Sequence, residues 1–280
     1  MIVVIGATGS VGKETVRLLR AAGHDVTAVT RNPSGADFPD GVRVAGGDPS
    51  RPGTLSAVWQ GAEAVLISPR AAGAAAAELL ADAAAHGVRR VSVISAATID
   101  YPAGEPRFVL GFRAVESAAR NSGLAWTFLR CADFAANALA WAPQLRVTGL
   151  VRAAFPDAAT SPIHHRDIAE VAVSALTGPD HDGQAYVLTG PASLTQRDKV
   201  ALISEATGRR LTLVEAAPDE IRAQMIAQGL PEEMPDRLLG SLADYAREPG
   251  PTTDTVAKLL GRPALDFATW AAENSAAFLG

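Results

Sequence analysis

The chain opens on Met1-Ile-Val-Val-Ile5, an apolar and largely β-branched run, and passes directly into Gly6-Ala-Thr-Gly-Ser-Val-Gly12. A run of that composition suits a strand covered on both faces of a parallel sheet. The glycines then impose three separate backbone conditions: a tight turn at Gly6, close approach of backbone to a ligand at Gly9, and close packing of helix on strand at Gly12. Val16, Leu18 and Leu19 recur at helical spacing, which predicts a helix from Lys13 to Ala21. A pyrophosphate would sit at the N-terminus of such a helix, where unpaired N–H groups and the helix dipole both favour an anion. Thr8, Ser10 and Val11 complete this candidate phosphate site. In the competing reading the glycines only shape a turn.

The next unit narrows the choice. His24 to Thr30 alternates and predicts a second strand, ended by Arg31-Asn32-Pro33. A site that prefers NAD places an acidic residue there, on the ribose 2′-hydroxyl. Arg31 can instead clamp a 2′-phosphate, so NADP(H) is expected over NAD(H). The bland alternative is a solvated loop arginine.

Strands are predicted at Val42 to Ala45, Ala64 to Ser68, Arg90 to Ser95 and Ala125 to Leu129. Helices are expected at Thr54 to Trp59, Ala71 to His86 and Ile168 to Leu176. This alternation predicts an α/β fold, a doubly wound parallel sheet with a smaller C-terminal substrate lobe. Ligands of such sheets bind at the carboxyl ends of the strands. That selects Asp48, Ser68-Pro69-Arg70 and Ser95-Ala96-Ala97. Asp48 either meets an adenine amino group or caps a following helix. Ser95 either orients a nicotinamide or substrate carbonyl or serves only the backbone.

At 280 residues with 48% hydrophobic content the chain is long enough for a large core. It is expected to form one unit, with roughly 1–133 as the dinucleotide-binding core and 134–280 supplying the remaining core elements and the substrate lobe. One cysteine excludes an internal disulfide, and no Cys/His cluster has metal-ligand spacing. The apolar stretches are too short or too interrupted to span a bilayer, and no basic signal segment precedes the first strand, so a cytoplasmic location is expected. The net charge of −5 and the lack of a basic run argue against direct nucleic-acid binding. A regulatory role would act through a protein partner; a homo-oligomer is also compatible.

The sequence as a whole resembles the NmrA-like branch of the atypical short-chain dehydrogenase/reductases. The likeness is carried by Gly6 to Gly12, Val29-Thr-Arg-Asn-Pro33, Gly47-Asp48, Gly61-Ala-Glu-Ala-Val65, Ser122 to Arg130, Phe134 with Asn137, Ser161-Pro-Ile-His-His-Arg-Asp-Ile-Ala-Glu-Val-Ala172 and Tyr186-Val-Leu-Thr-Gly-Pro191. It implies a Rossmann domain with cofactor contacts at Gly6 to Gly12, Arg31, Asp48, the strand end at 67–69 and the 131–134 turn, including Cys131 and Phe134. Members that it resembles include NADP-dependent quinone reductases, isoflavone-reductase-like enzymes and idle redox sensors that regulate another protein, so the resemblance implies a reductase passing hydride to a small apolar acceptor such as a quinone, or a cofactor sensor; because fold does not fix function, a non-redox biosynthetic enzyme is a third reading.

The chain departs from its superfamily in the catalytic stretch. Short-chain dehydrogenases use a Tyr-x-x-x-Lys pair, in which the phenol donates a proton. Pro106 to Glu116 holds neither residue type, and Tyr101 lies too early, with no lysine four residues on. Phe112 stands where relatives carry lysine or histidine, with Arg113 beside it. Arg113 either holds ribose or phosphate or pairs on the surface with Glu116 three residues along; it cannot donate a proton near neutral pH. His164 and His165 are the candidate general acids, unless they brace the lobe, and Asp167 is read as the N-cap of the helix that follows. Cys131 is either redox-active or a small core residue. Trp141, within Asn137 to Leu145, is the tryptophan placed to meet a flat ligand.

Overall fold

In the computed structural model, which describes residues 1–279, Ile2–Ile5 form β1 with all four residues buried. The elements that follow are α1 (Ser10–Ala21), β2 (Val26–Thr30), β3 (Arg43–Gly46), β4 (Ala64–Ile67), α2 (Pro69–Ala72), α3 (Ala76–Ala85), β5 (Arg90–Ala96), α4 (Arg107–Asn121) and β6 (Ala125–Cys131). Then come α5 (Ala142–Thr148), β7 (Leu150–Ala153), β8 (Ala159–Thr160), α6 (His165–Thr177) and β9 (Gln184–Leu188). The chain ends with β10 (Leu194–Thr195), α7 (Gln196–Thr207), β11 (Thr212–Glu215), α8 (Pro218–Ala227), α9 (Glu233–Arg247), α10 (Thr255–Leu260) and α11 (Phe267–Glu273).

Seven strands form one sheet in the order β3-β2-β1-β4-β5-β6-β9. The pairs from β3 through β6 are all parallel. Strand order reverses at β1, whose neighbours are β2 and β4, and this is the switch point at which doubly wound sheets bind ligands. The chain divides into two compact units, and it passes between them several times. The first comprises Met1–Ile99, Leu110–Cys131 and His165–Val187; the second comprises Asp100–Val109, Ala132–His164 and the residues from Leu188 onward.

In the first unit Val3, Ile5, Val65, Leu79, Leu80, Phe128 and Trp59 meet in one apolar core. Trp59 is fully buried, and its indole N–H is satisfied by Asp82 Oδ2 at 2.8 Å. The second unit has a core of its own, in which Leu145, Val151 and Ile203 pack with Phe267, Trp270 and Phe278. Among the described residues no helix is long and apolar enough to cross a membrane.

Several local expectations are corrected. α1 begins at Ser10, three residues before the predicted start, because Gly9 in extended conformation is the N-cap and Ser10 to Gly12 form the first turn. β2 begins at Val26, since His24 and Asp25 are polar and lie outside the buried run. The helix expected at Thr54 to Trp59 is replaced by two 3-10 turns, Pro52–Thr54 and Ser56–Val58; six residues form too few i→i−4 bonds to offset nucleation. The helix expected at Ala71 to His86 is broken at Gly73, whose φ of +52° is not helical. α6 starts at His165, so Asp167 lies inside its first turn and is not the cap.

Candidate dinucleotide site

The turn after β1 has the geometry of a phosphate cradle. Gly6 has φ +81°, a conformation that favours glycine, and a Cβ built on it would lie 3.5 Å from the Cβ of Ser68 at the end of β4. The glycine turn and the strand end across the switch point are therefore neighbours. At Gly12 a Cβ would lie 2.2 Å from the Gly6 carbonyl oxygen and 2.8 Å from the Ala7 Cα, so only glycine lets α1 sit this close to β1. Thr8, Gly9 and Ser10 are exposed, whereas Val11 and Gly12 are buried. The Gly9 N–H closes the turn onto the Gly6 carbonyl at 3.0 Å. The amides of Ser10, Val11 and Gly12 make no hydrogen bond among the described residues, and the first turn of α1 carries no acidic side chain. Open donors at a helix N-terminus, with Gly9 leaving the approach clear, fit a pyrophosphate.

Arg31 follows β2 directly, is exposed, and makes no ion pair among the described residues. Asp48 does not cap a helix. Its Oδ1 accepts from the Ser50 amide at 3.0 Å and hydroxyl at 2.7 Å, a local turn of the chain. Ser50 holds this carboxyl below the usual range, and the charges of Arg51 and Arg31 act in the same direction. Arg31 and Asp48 thus share one surface beside the ends of β2 and β3. Ser68, extended, follows β4 directly as the N-cap of α2, which Pro69 begins.

The remaining candidates hold different positions. Ser95 is buried, and its hydroxyl donates to Glu116 Oε1 at 2.7 Å. Arg130 binds the same carboxylate through Nε at 3.0 Å and Nη2 at 2.6 Å. Glu116 is therefore a buried anchor between β5, β6 and α4. This corrects the expected surface pair with Arg113, whose Nη2 instead donates to the Ile99 carbonyl at 3.1 Å. Cys131 is buried; burial pushes its thiol far above the usual range, as befits a small core residue rather than a reactive thiolate. His165 opens α6 in the first unit and lies near Glu14.

In the second unit His164 is fully buried, with Nε2 3.1 Å from Glu273 of α11, the arrangement of a brace. Phe134 bridges to Ile163. Trp141 ends a 3-10 segment, Ala135–Trp141, and packs on the core of this unit. Sequence reasoning missed the strongest polar cluster here. Asp133 Oδ2 accepts from Lys199 Nζ at 2.7 Å and from Thr160 Oγ1 at 2.8 Å, and Asn137 Nδ2 donates to its Oδ1 at 2.8 Å. Lys199 lies on α7, 66 residues from Asp133. No local pattern marks the pair, although Asn137 at i+4 from Asp133 is a spacing that could have flagged the turn.

Residues 6–179 match the model of the NAD(P)H-binding family. A (4-alkanoyl-5-oxo-2,5-dihydrofuran-3-yl)methyl phosphate reductase from Streptomyces griseus is 36% identical over 280 residues, covering 99% of each chain. An NAD(P)H azoreductase from Xenophilus azovorans is 36% identical, again over 99% of both. Among solved structures, an NADPH-dependent quinone oxidoreductase from Escherichia coli superposes with a TM-score of 0.82 at 24% identity, over 98% of this chain and 99% of that one. NmrA, a negative transcriptional regulator solved with NADP, superposes with a TM-score of 0.74 at 19% identity, over 97% of this chain and 94% of that one. At such identities the two structures establish a common fold. With the family match and the two full-length reductase relatives, the chain is a member of the NAD(P)H-binding family and an oxidoreductase.

Proposed function

We propose that this protein is an NADPH-dependent reductase that passes hydride to a small, electron-poor, conjugated acceptor such as a quinone. The observation that carries the reading is the pairing of an open phosphate cradle at Ser10 to Gly12 with a catalytic stretch, Pro106 to Glu116, that holds no tyrosine and no lysine. Arg31 clamps the 2′-phosphate, Asp48 faces the adenine end, and Ser68 and Pro69 line the switch point. NADPH, when bound, supplies the hydride. A conjugated acceptor spreads the resulting negative charge and takes its proton from water, so a positioned acid is not required; a simple ketone would leave a localised alkoxide that needs one. The relatives' acceptors, an unsaturated lactone carrying a further carbonyl and an azo compound by their names, support this class, since both are conjugated.

The reading predicts NADPH oxidation with small quinones and negligible turnover of aliphatic ketones in a steady-state assay. Fast, stereoselective ketone reduction would overturn it. The absent Tyr-x-x-x-Lys pair also favours a second reading, a cofactor-sensing protein acting through a partner, and tight NADPH binding with no oxidation by any acceptor would select that one. Cofactor choice has its own test. Arg31→Ala should lose about 1.5–3 kcal/mol of NADPH affinity, roughly ten- to hundredfold in Kd, with little effect on NADH. Equal wild-type affinity for the two cofactors by calorimetric titration would contradict the assignment.

A further inference from the structure

Three side chains of the first unit form a hydrogen-bonded line that the dinucleotide site does not use. Ser174 on α6 is exposed, and its Oγ lies 2.8 Å from His181 Nε2. The other ring nitrogen, Nδ1, lies 3.0 Å from the hydroxyl of Tyr186 on β9. A hydroxyl inside a helix ordinarily bonds back to the carbonyl four residues earlier. Thr177 of the same helix does so, donating to Val173 at 2.9 Å, whereas the Ser174 hydroxyl meets the imidazole.

The imidazole is held in place through its backbone and its ring. The His181 carbonyl accepts from Thr127 Oγ1 of β6 at 2.9 Å and from the Gln184 N–H at 3.1 Å, and the Gly183 N–H donates to the Trp126 carbonyl at 2.8 Å. Asp182, the next residue, accepts from Nε of Arg90 on β5 at 2.9 Å. The turn is thus anchored to two strands of the sheet. The ring stands edge-on to that of Tyr186, with centroids 5.6 Å apart and planes at 79°. Burial raises the Tyr186 phenol above its usual range, so it stays neutral. A neutral phenol oxygen accepts from an Nδ1–H, and a histidine protonated at Nδ1 leaves Nε2 as the acceptor for the Ser174 O–H. A serine bonded to an imidazole that a third group orients is the arrangement that activates a nucleophile.

We infer that Ser174 is an acylation site, with His181 as its general base, Tyr186 as the residue that orients the base, and a small activated ester or acyl phosphate as the acyl donor. The Ser174 oxygen adds to the acyl carbon as its proton passes to His181 Nε2. The bond from that carbon to the leaving group then breaks, its electron pair departs with the leaving group, and His181 returns the proton there. The product is an O-acyl serine on the exposed side of α6, formed without redox change. This modification is independent of the reductase reading.

The test treats the full-length protein with p-nitrophenyl acetate and maps the acetylated peptides by mass spectrometry. Ser34 and Ser50 are controls within the same chain, since both are exposed and their hydroxyls bond to side-chain oxygens of Asn32 and Asp48 instead of to an imidazole. Ser174 should be acetylated well ahead of both. Its labelling should slow roughly a hundredfold in His181→Gln, the loss expected for a general base, and several-fold in Tyr186→Phe, with Tm and NADPH affinity retained in each. Labelling of wild-type Ser174 no faster than that of Ser34 and Ser50, or an unchanged rate in folded His181→Gln, would overturn the inference. Faster labelling in Tyr186→Phe would also overturn it, because the phenol would then be the donor to Nδ1 and the imidazole no base toward Ser174.

Discussion

Gly9→Val is expected to yield a folded protein that no longer binds dinucleotide. The backbone at Gly9, φ −74° and ψ 164°, is extended and open to any L residue. A Cβ there meets only the Gly6 carbonyl oxygen, at 3.4 Å, which a small adjustment relieves. The two methyls beyond it would project toward solvent over the exposed turn, into the volume that a pyrophosphate needs in order to reach the amides of Ser10 to Gly12. The variant separates binding from folding because Gly12, and not Gly9, holds the helix against the strand. Thermal denaturation should be close to wild type, and NADPH titration should show no saturable binding. Unchanged affinity in the folded variant would reduce the turn to architecture.

Glu116→Ala is expected to have the largest effect on stability. The carboxylate is almost fully buried and accepts three hydrogen bonds, one from Ser95 and two from Arg130. The Arg130 side chain is only 12% exposed, so truncating Glu116 takes away a bidentate carboxylate partner where little water can replace it. Breaking a buried pair from one side costs about 3–5 kcal/mol, far more than the pair is worth relative to apolar residues of the same shape. Chemical denaturation should place Glu116→Ala well below wild type. Glu116→Ala with Arg130→Met should recover much of the loss. A single variant within about 0.5 kcal/mol of wild type, the ordinary range for surface changes, would contradict the buried-anchor assignment.

The strand, glycine turn and helix at the start of the chain were legible because their physics is local. A buried strand needs a contiguous apolar run, Gly6 a positive φ, and Gly12 the absence of a Cβ, and each of these is visible within twelve residues. The same holds for Arg31 and Asp48, which occupy strand ends. Errors gathered where a short pattern met a competing constraint: six residues at 54–59 could not sustain an α-helix, and Gly73 broke the alanine-rich stretch. The pairing of Glu116 with Arg130 was misread because helical spacing offered Arg113 as a nearer partner. Burial decided otherwise, since Glu116 lies on the sheet side of α4 while Arg113 is exposed. The Asp133–Lys199 pair depends on segments brought together from more than sixty residues apart; such contacts leave no period or spacing in the chain.

The central claim, hydride transfer from NADPH at a site without a Tyr-x-x-x-Lys proton donor, is tested most directly by isotope-labelled single turnover. Protein loaded with NADPH deuterated at one or the other face of C4 would be mixed with a small quinone and followed by nicotinamide absorbance. Oxidation slowed by deuterium on one face and unaffected by deuterium on the other is the predicted result, because a fixed cofactor presents one hydrogen to the acceptor. Saturable NADPH binding with no oxidation by quinone, unsaturated lactone or azo acceptor would contradict the claim and leave a protein that only senses its cofactor.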